Sequence, residues 1–185
     1  MPTPSVPVFG AAVAVFLAIS ACSAQAQSVA ASATAVVVTP LAIQKTADFN
    51  FGKIVPGLTA GTVILSTAGT RTIGSGGTVL GNATSASAAQ LSVAGDPGAT
   101  LSISITGGVL SNGAGVTMPM SNFVLKVGNG TDQTSSFTGT LSGTGTATLA
   151  IGGTLSVGTA TSTPNGTYAT SNSGGQDVTI TVNYN

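Results

Sequence analysis

An antiparallel all-β sandwich, immunoglobulin-like or pilin-like in build, with about eight to ten short strands, is the fold this sequence predicts. Three observations carry that expectation. Apolar residues alternate with polar ones at a period of two in many short runs, each run ends in turn chemistry, and no apolar stripe of helical period extends over three turns.

Taken in chain order, the first element is not part of the fold. Residues 1–26 contain no Lys, Arg, Asp or Glu, and an apolar stretch from Val8 to Ala21 precedes Ala24-Gln25-Ala26. That stretch is too short to span a bilayer, and the small residues after it suit signal peptidase, so 1–26 is expected to be a signal peptide cut after Ala26. Ile19-Ser20-Ala21-Cys22 is the competing feature, since it resembles a lipobox in which Cys22 would carry the lipid. Cleavage after Ala26 leaves about 160 residues, a length that suits one domain with a real core. It also leaves no thiol, so stability must come from apolar packing and strand ladders.

The next element is an extended segment over 27–39. Its odd positions, Val29, Ala31, Ala33, Ala35 and Val37, are small or apolar, and the same parity continues through Leu41, Ile43, Ala47, Phe49 and Phe51. Thr39 and Lys45 interrupt it. Pro40 has no backbone donor, so two extended pieces joined at a kink are expected, the first a separate arm. The sandwich then occupies 40–185. Its strands are read from Val63 with Leu65, Leu101 to Ile105, Phe123 to Val127, Leu149 with Ile151, Leu155 with Val157, and a last run through Val178, Ile180, Val182 and Tyr184. Asp96-Pro97-Gly98, Gly107-Gly108, Asn129-Gly130 and Asn165-Gly166 are the expected turns. Ala83 to Gln90 is the one stretch with room for a helical turn or a loop.

Charge and residue inventory exclude several function classes. Four Lys or Arg balance four Asp, with no basic cluster, so nucleic acid and anionic membranes have no electrostatic hold. Zero net charge offers little repulsion between copies. There is no His, no Glu and no Trp. That removes Ser-His-Asp and Cys-His catalysis and the usual zinc sites, and the four Asp are scattered, so neither enzyme, metal nor cofactor is expected. Gly74-Ser75-Gly76-Gly77 lacks the Lys and helix of a phosphate cradle and reads as a hairpin or loop. Lys45 with Asp48 reads as a strand-edge pair rather than an isopeptide site. Thr144, Thr146 and Thr148, like Thr159, Thr161 and Thr163, read as solvated strand faces rather than a recognition array.

The motifs PLAIQKTADFNFGKIVPG (40–57), AAQLSVAGDPGATLSISITGG (88–108), MPMSNF (118–123) and GTATLAIGGTLSVG, with the distal NGTY and VTITVNYN, resemble the bacterial secreted family known as domain of unknown function 4402. The resemblance implies an exported single β domain and brings no activity with it. A weaker likeness is to chaperone-usher pilins. The alternating C-terminal run Val178, Ile180, Val182 and Tyr184 is similar to the strand by which those pilins meet their chaperone, although Asn172 stands where they carry a glycine. That likeness implies that the arm would donate Val29, Ala31, Ala33, Ala35 and Val37 to an open groove in a neighbour, with a periplasmic chaperone and an outer-membrane usher as partners. The resulting expectation is an exported surface or fimbrial structural subunit, with no membrane span in the mature chain. A monomeric exported or lipid-anchored binding domain is the alternative.

Overall fold

A computed structural model describes residues 27–82 and 86–185. The expected signal peptide, Cys22 and part of the Ala83–Gln90 stretch lie outside them. The chain divides into two units, Met1–Val36 and Val37–Asn185. Within the first unit, the described residues 27–36 form no strand and are exposed.

The second unit is all-β and antiparallel throughout. Its strands are β1 (Ala42–Ala47), β2 (Ile54–Val55), β3 (Gly61–Leu65), β4 (Arg71–Ser75), β5 (Val79–Leu80), β6 (Ala89–Ala94), β7 (Thr100–Ser111), β8 (Thr117–Val127), β9 (Thr138–Thr140), β10 (Thr146–Val157) and β11 (Gln176–Tyr184). The strands number eleven among the described residues, β2 and β5 being two residues each. Ala89-Gln90 opens β6, so the end of the stretch with helical room is extended.

One layer runs β1-β6-β10-β8, with β3 continuing the line of β6 along β10 and β4 beside β3. The other layer runs β11-β7, with β9 and the start of β8 on the far side of β7. β8 therefore belongs to both. Its first part pairs β7 through Thr117–Pro119 and its later part pairs β10 through Met120–Val127. The buried apolar positions change parity along it, from Met118 and Met120 to Leu125, and Asn122 at φ 47° with a register shift opposite Gly152 and Thr154 absorbs the extra residue. Such a bulge is how a strand turns the corner between packed sheets.

Leu91, Val93, Leu149, Ile151 and Leu125 of the first layer pack on Leu101, Ile103 and Val182 of the second. A second cluster gathers Phe51, Val63, Leu65, Met118, Met120, Leu155 and Val157. Phe49 links the two and meets Phe123 in a tilted ring pair with centroids 6.3 Å apart, a favoured aromatic geometry. One of the expected turns lies inside a strand instead, and two runs expected as separate strands are one. Gly107-Gly108 sits within β7 at φ 81° and 99°, where a Cβ on Gly108 would strike Val178 and Met120. The Leu149–Ile151 and Leu155–Val157 runs are halves of the single strand β10, joined through Gly152-Gly153. Glycine ended the sequence pattern in both places, yet it serves close strand packing.

Candidate functional site

The two layers meet at β8 and part at the opposite side, where β1 and β11 are the layer edges. There a cleft of about 1110 Å³ opens between them. Its floor is core: Leu91, Leu110, Met118, Met120 and Leu155. One wall is Lys45 with residues 48–56, the other is Asp177, Val178 and Ile180 of β11, and residues 163–171 close one end.

The inward face of β1 reports the opening. Ile43 pairs with Val93 and Lys45 with Leu91, so these odd positions share the face of the core row. Yet Ile43 is 43% exposed while Val93 is fully buried. An inward residue stays wet only where nothing covers it. The same holds across the gap, where Val178 and Ile180 are half-buried although Val182, on the same face of β11, is buried.

Three contacts shape the cleft. At the far end of β11 from residues 163–171, the Tyr184 hydroxyl accepts from the Asp96 N–H at 2.7 Å and donates to the Thr39 carbonyl, tying the end of β11 to the start of β1. A Cβ on Gly95 would collide with that hydroxyl and with Leu41, so only glycine permits the approach. The wall is fixed by Arg71. Its buried guanidinium donates to the carbonyls of Phe51, Lys53 and Gly81, the last two at 2.9 Å, and pairs with no carboxylate among the described residues. Residues 163–171 are held by Ala169, which exchanges two backbone bonds with Ser111 at 2.9 and 3.0 Å.

Half of the eight charged side chains line this cleft: Lys45, Asp48, Lys53 and Asp177. Lys45 Nζ meets Asp48 Oδ1 at 2.6 Å. That hydrogen bond and the Asp48 charge raise the Lys45 ammonium above its ordinary 10.5, and Asp177 adds to the effect. Among the described residues no three His, Cys, Asp or Glu gather as metal ligands. Of the Thr-x-Thr runs expected as solvated strand faces, only Thr146 and Thr148 lie in a strand, and Thr144, Thr159, Thr161 and Thr163 do not. Ser142, Thr144 and Thr146 bond to one another in a turn, as do Thr159, Thr161 and Ser162.

The residues singled out from sequence fall as follows. Val178 and Ile180 line the cleft, Val182 lies in the core and Tyr184 makes the end clamp. Val29, Ala31, Ala33, Ala35 and Val37 are all exposed, Val29 at 94% and Val37 at 93%. Sequence reasoning missed the floor residues Leu110, Met118 and Met120, the Arg71 clamp and the 163–171 segment. The alternation Met118-Pro119-Met120 carried a signal for the floor. Arg71 and 163–171 carried none, because their roles come from chain folding rather than local pattern.

Among the described residues no helix is long and apolar enough to cross a membrane. A family model, Domain of unknown function (DUF4402), matches residues 41–184. No curated protein and no solved structure matches the chain.

Proposed function

The chain belongs to the DUF4402 family, a domain of unknown function, and on that premise we propose that it is an exported, non-catalytic surface subunit that assembles by adding a strand from a neighbouring chain to its open side. The observation that carries the reading is the cleft between β1 and β11, floored by core residues and flanked by the free edge of β11. Strand addition needs both parts: unpaired backbone groups for the ladder and an apolar floor for alternate side chains. The arm over 27–39 has the matching chemistry, since it is uncharged, exposed and apolar at alternate positions. A buried Val contributes about 1.5 to 3 kcal/mol and Ala less, so Val29 and Val37 would dominate the contact.

The test is complementation. A domain lacking residues 27–39 is expected to gain thermal stability from a peptide of Ser28 to Thr39, and Val37→Asp in the peptide is expected to abolish the gain by placing a charge on the apolar floor. A domain indifferent to both peptides would leave the cleft to the alternative, an exported domain that binds a small apolar ligand there.

A further inference from the structure

We infer that Thr39-Pro40, held by Tyr184, is a device that keeps the arm out of its own cleft and so commits it to a second copy of the chain. The inference rests on the strand-addition reading and concerns who receives the strand. It answers a physical difficulty in that reading. An arm tethered by a short linker has an effective concentration near its own domain of about 1 mM, so at ~10 µM protein self-completion would outcompete a neighbour about 100-fold. Assembly between copies therefore needs something that forbids the reaction in cis.

The geometry supplies it. Thr39 sits at the Tyr184 end of β11, bonded through its carbonyl to that tyrosine, whereas the cleft walls begin at Lys45 on β1 and Ile180 on β11. To enter its own cleft the chain before Thr39 must reverse within Val38–Leu41 and run back beside β1. A tight antiparallel reversal uses primed turns, which need φ above zero at one or both central residues. Proline locks φ near −65°, and the residue before it is held extended, so Thr39-Pro40 takes neither primed form. Pro40-Leu41 fares no better, because Leu41 packs against the core and none of residues 37–41 has a positive φ. A wider loop meets the next obstacle: Val36-Val37-Val38-Thr39 is four β-branched residues, stiff and extended, and Ser28 to Thr39 contains no Gly, Asn or Asp. Val37 and Val38 accordingly stand exposed.

The experiment replaces the device with its opposite. In the exported full chain, Thr39→Asn with Pro40→Gly installs an Asn-Gly pair, the preferred centre of a primed turn. The wild type is expected to associate with rising concentration, with its arm amides protected from exchange only when associated. The double variant is expected to be a monomer with arm amides protected at every concentration, associating only near ~1 mM. Pro40→Ala, which leaves Thr39 in place, is expected to fall between the two and serves if the double variant does not fold. A wild-type monomer with a protected arm would overturn the inference while leaving strand addition intact. So would variants that associate as the wild type does. Arm amides that exchange freely at every concentration in all three proteins would overturn strand addition itself, and this inference with it.

Discussion

β1 and β11 bound the same opening, but only one of them is defended. β1 is preceded by Pro40, breaks register between Lys45 and Ala47, and turns Lys45 to the inward face opposite Leu91. Proline, a bulge and an inward charge are the usual means by which an edge strand is made unattractive to another strand. β11 has none of them. It pairs with β7 without a register shift from Gln176 to Tyr184, contains no proline or lysine, and carries its single charge, Asp177, next to its start. On the proposed strand addition, the difference favours β11 as the receiving edge, with β1 forming the far wall.

Substitutions in matched positions sharpen this contrast, beginning with the largest effect. Val182→Asp places a charge in the core of β11 and is expected to prevent folding, whereas Ile43→Asp on the open face of β1 should cost about 1 kcal/mol or less, as read by urea unfolding. Arg71→Met removes the donors to Phe51, Lys53 and Gly81 and should cost about 2 to 3 kcal/mol in the same measurement. Because Arg71 fixes the wall on the β1 side, that variant should also weaken peptide complementation.

Ile180→Lys gives β11 the inward lysine that β1 already has. It should abolish association, measured by sedimentation, at a stability cost of about 1 kcal/mol, since Ile180 is only half-buried. Gln44→Lys on the outward face of β1 should leave association unchanged. Equal loss from both would erase the distinction between the edges.

The smallest effect is electrostatic. The Lys45 pKa is raised in the folded chain, so its pairing contributes at neutral pH and is lost as pH climbs past lysine's ordinary 10.5 and through the raised folded value. Asp48→Asn should return the Lys45 titration, followed by NMR, toward that ordinary value. Stability at neutral pH should hardly change, because the pair is exposed and screened.

Much of the fold was legible because alternation at a period of two is a local property. The inward set of β11 and the apolar runs of β3, β7, β8 and β10 could be read directly, and so could the want of helices among the described residues. Glycine misled where it permits close packing inside a strand, as at Gly107-Gly108 and Gly152-Gly153, because a missing side chain looks the same in a turn and in a bulge. The cleft was only half legible. Its β11 wall followed from parity, but its floor is assembled from β6, β7, β8 and β10, and Arg71 reaches carbonyls at Phe51 and Gly81 that no sequence spacing connects to it. Lys45 was visible as an interruption of the odd apolar positions, and the structure supplies the reason: it stands on the uncovered face of an edge strand.

On the strand-addition proposal, β11 and not β1 takes a strand from another copy. Hydrogen exchange of the backbone amides of both strands in the full-length protein, at low and at high concentration, tests it most directly. The amides on the outer edge of β11 are expected to become protected as concentration rises while those of β1 do not change. Protection that appears on β1 instead, or on neither strand at any concentration, would contradict it.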